Sequence, residues 1–543
     1  MRLILTGATV AAFLLLQSLP SKCNAEDQVQ WGERHTRNMI SSETNIPSDF
    51  VPGRRNPRTG LVDPATTTNV RWVQPIGQVG YGAPIVAEGK VMVGTNMGRY
   101  EEEEGGEPID RRLIGDRGVL ACFDEVSGDF LWQLSVPKMK EYRAGEPDLA
   151  NEYRFADWAR VGICSPPTVE NGLAYLVTNC CEVVCLDMDG MADGNDGPYQ
   201  DEARHLVGAD GDPIPTIETD ADIVWVFDMM DQCGARPHNA CNSSVLLDGD
   251  VLYICTGNGV DAGHTYVPKP DAPTLIALHK TAGTLLAQDG FEIGPDIFHG
   301  QWSSPALGEV DGRRLVFQGC GNGFLYAVDA LDPIIEPGGP VQTLEPVWMF
   351  NGHPLAQTQE HVEIEHVHDS RSYEVIANPV FYDDKLFVVF TQELFHGIPD
   401  GWLVCLDPSL EGDTTRTGGL LWAYDPISSS SSTPAIKDGL LYMADFDGYL
   451  HCLDVETGEP YWVANLGDPI WGSPLIVDGK IYIGNGRREL FVLRHGKELE
   501  LINRIEMPDR ILCSTTAANG TLYIPTMSQL FAIEAEEATE EGE

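Results

Sequence analysis

The sequence predicts an all-β fold: an eight-bladed β-propeller of four-stranded antiparallel blades, closed by an N-terminal strand that completes the last blade. Three observations predict it. One unit recurs along the chain, built from a small residue and often a proline, an apolar strand, Asp-Gly or Asn-Gly, a second strand, a turn, an Ala-, Cys- or Leu-Asp stretch and often Thr-Gly ahead of a tryptophan. Its apolar runs are short, punctuated by turn residues and free of any helical period. The two ends of the repeat are complementary fragments, so that together they make one whole unit, which leaves only short, protected sheet edges.

Taken in chain order, residues 1–25 read as a secretory signal peptide: Arg2, the apolar run Leu3 to Leu16, then Cys23-Asn24-Ala25 as the cleavage signal. The run is shorter than the ~20 residues of a membrane span, and no later stretch is apolar enough. The mature chain is therefore expected to be exported, periplasmic or extracellular, without a transmembrane segment. Residues 26–68 form an N-terminal extension. "NVRWVQPIG", Asn69 to Gly77, is an orphan fourth strand. Eight unit starts follow, at Ala83-Pro84, Ser165-Pro166, Ser243-Ser244, Ser304-Pro305, Asn378-Pro379, Thr433-Pro434, Ser473-Pro474 and Thr515-Thr516. The clearest copy is Ser431 to Gly467, and the last stops after its third strand, so the propeller is placed at 69–535 with an acidic disordered tail at 536–543.

Within the repeat, Trp72, Trp132, Trp225, Trp348, Trp422 and Trp462 share the fourth-strand position and are expected to cement neighbouring blades, each burying about 150–250 Å². Two copies, with "GTLLAQ" and "GKELEL", lack it. Cys122, Cys185, Cys405 and Cys452 fall where other copies carry Ala327 or Ala532, and read as small buried thiols. The larger insertions, at Glu101 to Arg117, Lys138 to Val161, Met191 to Asp222, Gly263 to Pro273 and Pro354 to Ser372, are where a rigid scaffold carries binding function.

Net charge is −47, which excludes nucleic acid as a partner held by a basic face. The cysteines beyond the signal peptide contain no CxxC pair, and the absence of CxxCH excludes a covalent c-type haem. Cys164, Cys241 and Cys513 precede inner strands, and with Cys180, Cys181, Cys233 and His238 they gather on one face. A disulfide such as Cys233 with Cys241, packed thiols and a soft-metal cluster are all compatible with that placement. Asp187, Asp189, Asp193, Asn195 and Asp196 form an acidic loop without the closing glutamate of an EF-hand.

The "LDxxTGxxxW" repeat, eight times over, resembles the propeller of the pyrroloquinoline-quinone (PQQ) alcohol dehydrogenase superfamily. The resemblance implies PQQ on the axis between a tryptophan and a ring of adjacent cysteines, with Ca²⁺ beside it. "LYICTGNGVDAGHTYVPKPDAPTLIALH" is similar to the family stretch carrying a calcium-ligand asparagine and a catalytic aspartate, which implies Asn258 as metal ligand and Asp271 as base and metal neighbour. "HGQWSSP" places Trp302 near the axis. Cys180 and Cys181 are the adjacent pair, one hairpin later than the family's, where the matching position is Cys164-Ser165. Ca²⁺ would polarise a quinone carbonyl while a carboxylate takes the alcohol proton.

Two functions stay open on the sequence. One is a non-catalytic binding or scaffold module that takes a protein or carbohydrate on the propeller face. The other is a PQQ- and calcium-dependent alcohol or sugar dehydrogenase passing electrons to a separate acceptor.

Overall fold

The structure, a computed structural model, describes residues 26–534 apart from 79, 97–115, 144–156, 196, 210, 360–372 and 393–398. Residues 1–25, read above as a signal peptide, the Glu101 to Glu104 run, Asp196 and residues 535–543 lie outside the described residues. No described helix is long and apolar enough to cross a membrane.

Eight small antiparallel sheets form the blades, each running from an inner to an outer strand. Blade 1 is Ile85–Ala87, Lys90–Thr95, Gly118–Asp124 and Phe130–Val136, and blades 2 to 7 repeat that order. In blade 8, Val70–Pro75 pairs antiparallel with Gln529–Glu534, so a strand from the start of the chain closes the ring as the outer strand of its last blade. Blades 3 and 4 each gain a short parallel fifth strand, Gln342–Leu344 and Gly412–Asp413. In blade 5 the inner edge is split between Tyr373–Glu374 and Val380–Tyr382.

The repeat signature has a direct physical reading. Each outer-strand tryptophan donates its indole N–H to a backbone carbonyl in the turn of the next blade: Trp72 to Glu125 at 3.0 Å, Trp132 to Met188 at 2.9 Å, Trp225 to Lys280 at 3.0 Å, Trp348 to Pro408 at 3.1 Å, Trp422 to Val455 at 3.1 Å and Trp462 to Gly496 at 3.1 Å. In four of the six pairs a glycine of that next blade lies against the indole: an added Cβ would come within 2.5 Å of Trp72 on Gly128, 2.8 Å of Trp132 on Gly190, 2.6 Å of Trp225 on Gly283 and 2.5 Å of Trp422 on the Thr-Gly glycine Gly458 (φ +71°). Glycine and tryptophan are thus two halves of one contact between blades. The small residue of the third strand stands directly opposite the tryptophan, as in Cys122 with Trp132 and Ala327 with Trp348. A larger side chain there would compete for the same space.

The blades that lack the tryptophan use other parts. Ala287 stands at its place in blade 3, where the parallel strand Gln342–Leu344 covers the edge. Asn503 stands there in blade 7 and donates to Ser48 O at 2.9 Å, in the N-terminal extension.

Ahead of the inner strands, hydroxyl and amide side chains link blade to blade around the axis. Ser304 Oγ accepts from Ser244 N (2.9 Å), Asn378 Oδ1 from Ser304 N (2.8 Å), Thr433 Oγ1 from Asn378 N (3.3 Å), Ser473 Oγ from Thr433 N (2.9 Å) and Ser514 Oγ from Ser473 N (2.9 Å). That belt explains the small polar residue ahead of the inner strands of blades 3 to 8; the first repeat opens on Ala83 instead.

The extension threads the axis. Its residues bond in turn to the middle of every inner strand: Gln28 O accepts from Val86 N, Val29 O from Val169 N, His35 Nε2 donates to Leu247 O, His35 O accepts from Leu307 N and Thr36 O from Phe381 N. Asn38 then bonds both backbone groups of Ile436, Met39 O accepts from Ile476 N, and Ser41 Oγ donates to Ala517 O. Arg37 is fully buried here, its guanidinium donating to Pro305 O, Ser244 O and Oγ, and Trp31 O. Residues 28–41 therefore plug the central channel and satisfy inner-strand groups that would otherwise face it unpaired.

Candidate functional site

Above this plug, on the face where the turns between second and third strands emerge, lies a cavity of about 520 Å³. Trp31, from the plug, Tyr81, Trp158, Trp302, Phe446 and Trp471 supply its aromatic lining; the polar groups are Asn239, Asn242, His264, His299, Ser431 and Ser514. No Lys, Arg, Asp or Glu is among the described residues that line it.

Trp158 is 47% exposed yet well supported. The buried Lys138 ammonium donates to Asp157, to Trp158 O at 2.7 Å and to Val161 O at 2.6 Å, pinning the segment. Asp157 in turn accepts from Met139 N and Asn179 Nδ2. Trp302 donates its N–H to Ala240 O at 3.2 Å, and its ring folds back over Gly300, where a Cβ would come within 2.2 Å.

Beside Trp302, ring nitrogens of His238, His264 and His299 lie within 4.8 Å of one another. His238 Nδ1 donates to Val260 O at 2.7 Å, which leaves Nε2 as its acceptor nitrogen, 2.9 Å from Asn239 Nδ2. His299 Nδ1 meets Glu374 Oε2 at 2.8 Å and Oε1 at 3.0 Å. Burial and the adjacent imidazoles pull His238 down to about 3, so it is neutral at physiological pH. A smaller cavity of about 20 Å³, room for about one water, touches Cys181, Cys241, Asn258, Gln301 and this cluster. Gln301 Nε2, at this small cavity, and Asn239 Oδ1, at the main one, are buried without a hydrogen-bond partner.

Among the residues singled out from the sequence, Trp302 walls the main cavity, and Cys181 and Asn258 line the small one. The polar atoms of Asn258 are taken by the backbone: Nδ2 donates to Gly294 O (2.7 Å) and Ile297 O (2.9 Å), and Oδ1 accepts from Val260 N (3.2 Å). Asp271 is exposed and lines neither cavity.

Cys180 and Cys181 part company. The Cys180 thiol donates to Pro137 O at 3.3 Å, away from the axis, while Cys181 sits beside Cys241. Both, with the other ten described cysteines, are free thiols, so neither the adjacent-pair ring nor a Cys233 to Cys241 disulfide is formed. Cys241 and burial push the Cys181 thiol well above its ordinary range. Cys181 also has φ +61°, at the turn position that Gly448 and Gly323 hold in other blades.

These residues do not fit PQQ with Ca²⁺. PQQ is a tricarboxylate and needs cationic partners, whereas no Lys or Arg lines the described cavity. Ca²⁺ needs carboxylate and carbonyl oxygens; none of the described residues lining either cavity carries a carboxylate, and Glu374, which contacts the histidine cluster, is engaged by His299. The acidic residues Asp187, Asp189 and Asp193 do come within 4.8 Å of one another, but on the exposed outside, with Lys90 at 2.9 Å from Asp189.

Sequence reasoning missed Trp31, His264, Glu374 and the aromatic partners Tyr81, Trp158 and Trp471. The usable signal was positional: Trp158 falls in an insertion, and Tyr81 and Trp471 each precede a small-Pro pair, at the mouth of the channel.

Comparison with known proteins gives partial matches. A family model described as outer membrane protein assembly factor BamB matches residues 399–499. The quinohemoprotein alcohol dehydrogenase ADH IIB of Pseudomonas putida is 35% identical over 89 residues, covering 13% of each chain. BamB of Salmonella typhimurium is 28% identical over 101 residues, 18% of this chain and 25% of that one. The matched segments thus span 13% and 25% of those curated relatives' lengths. The crystal structure of BamB from Moraxella catarrhalis superposes with a TM-score of 0.50 at 13% identity, covering 86% of this chain and 99% of that one, a likeness of fold.

Proposed function

We propose that this chain, a PQQ-like β-propeller repeat protein, is an exported binding module whose axial cavity takes a small neutral ligand of the carbohydrate class. The observation that carries this reading is the cavity wall: aromatic faces and amide, hydroxyl and imidazole groups, with no charged side chain among the described lining residues. Its volume of about 520 Å³ lies inside the ~300–1,000 Å³ of small-molecule sites. Aromatic faces suit the apolar face of a sugar ring, and Asn239, Asn242, Ser431 and Ser514 suit its hydroxyls. A net charge of −47 repels anionic ligands, which favours a neutral one. Export rests on the signal-peptide reading of residues 1–25.

The competing reading is the quinoprotein dehydrogenase, favoured by the similarity to ADH IIB over 89 residues. That reading requires Asn258 to give up its backbone partners to hold the metal and Asp271 to move from the exposed surface to the cavity to act as base. Titration separates the two. Tryptophan emission is followed while neutral gluco-, xylo-, manno- and chito-oligosaccharides are added in EDTA, and absorbance while PQQ is added with Ca²⁺. Saturable quenching by a neutral sugar, abolished in Trp302→Ala, supports the binding module. Saturable PQQ uptake with alcohol-dependent dye reduction would replace it with the dehydrogenase, and a protein partner alone would leave the sugars without effect.

A further inference from the structure

We infer that His238, His264 and His299 form a site for one divalent transition cation of the zinc and copper end of the first row. The three imidazoles come from three separate segments: His238 from the stretch ahead of the inner strand of blade 3, His264 from the loop between its second and third strands, and His299 from the stretch ahead of blade 4. They converge to ring nitrogens within 4.8 Å of one another; an ion at about 2.0–2.1 Å from each holds tetrahedral ligands about 3.4 Å apart, so binding draws the three rings together by up to about 1.4 Å through small side-chain rotations.

Each of two ligands has its outer nitrogen fixed. The Val260 carbonyl takes the Nδ1–H of His238 and the Glu374 carboxylate faces Nδ1 of His299, so Nε2 is the nitrogen that each would offer an ion. This is the carbonyl- or carboxylate-backed arrangement that orients metal-binding imidazoles. Asn239 Nδ2 rests on His238 Nε2 in place of an ion, while its Oδ1 is buried with no partner, so the amide is weakly held and easily displaced. All-imidazole donors suit Zn²⁺ and Cu²⁺ over Ca²⁺ or Mg²⁺. Three protein ligands match the donor count of open rather than closed zinc sites, and His264 and His299 also line the main cavity. An ion held here would therefore be reachable from it.

The inference stands apart from the sugar reading, because the ion is titrated with no sugar present. The full chain, freed of metal with EDTA and dialysed, is titrated with Co²⁺ and followed by visible ligand-field absorption, then with Zn²⁺ as competitor. One equivalent of Co²⁺ per chain, displaced by Zn²⁺, is expected. Glu374→Gln should weaken binding by about 10–100-fold, His264→Ala by at least that much, and Asp189→Asn, in the exposed acidic cluster, not at all. No saturable uptake, or uptake unchanged in a His264→Ala, His299→Ala double variant, overturns the site. Should the variants not fold, the zinc anomalous signal from a wild-type crystal decides: a peak among the three imidazoles supports the site and a peak elsewhere overturns it.

Discussion

Cys181 condenses the residue-scale result. It occupies a left-handed turn position that glycine holds in sister blades, a conformation costing an L-residue about 1–2 kcal/mol, and it places its thiol beside Cys241 at the small cavity next to the histidines. Its neighbour Cys180 faces Pro137 instead. The sequence made the pair visible but not the divergence, because the side-chain directions follow from one backbone φ. The histidines were harder still. The sequence groups His238 with cysteines rather than histidines and shows His299 only as the start of the Trp302 motif, since residues 26 and 35 positions apart carry no local spacing signal and meet only once the ring forms. Burial holds the Cys180, Cys181 and Cys320 thiols well above their ordinary range, and Cys233, the least buried, is still pushed up to about 12. A chain beginning at residue 26 should therefore give almost no reaction with a disulfide reagent at pH 8 when native, and twelve thiols in guanidinium. Ten thiols in guanidinium would mean that one disulfide had formed.

At the scale of elements, the repeat was legible because its letters are contacts. The Trp-Gly pair, the small residue opposite the tryptophan and the hydroxyl belt each recur as sequence and as geometry. Gly439 and Gly458 in blade 6 test the reading as a pair. Both have positive φ, but a Cβ on Gly439 meets nothing within 4 Å whereas one on Gly458 meets Trp422 at 2.5 Å. Gly439→Ala should cost about 1 kcal/mol, and Gly458→Ala about 1–3 kcal/mol more through overpacking, read by denaturant melts. Equal losses would mean that the glycine serves the turn and not the neighbouring blade. The axial plug was not legible: residues 28–41 have no repeat period and little strand pattern, and they bond partly through backbone groups and partly through the isolated side chains of His35, Arg37, Asn38 and Ser41. Arg37→Met would leave the Pro305, Ser244 and Trp31 carbonyls without their donor, at about 1–3 kcal/mol each where buried. The expected outcome is a lower melting temperature, and an unchanged one would make the plug dispensable.

For the whole molecule, two strands of remote sequence close the ring, and the plug turns an axial channel into a cavity open on one face. Charge acts at this scale too. With −47 net, self-repulsion opposes the compact state, and raising ionic strength from about 10 mM to 150 mM shortens the Debye length from about 30 Å to 8 Å. The melting temperature should rise across that range in NaCl, as calorimetry would register; a flat response would mean that the acidic groups are already spaced or paired well enough to cancel. The central claim is that function sits on the axis, above the plug and among the aromatic side chains. A crystal structure grown with the best-quenching neutral oligosaccharide tests it most directly. Sugar density between Trp158 and Trp302, over Trp31, is the predicted result. Density confined to the outer blade edges, or PQQ density on the axis, would contradict it.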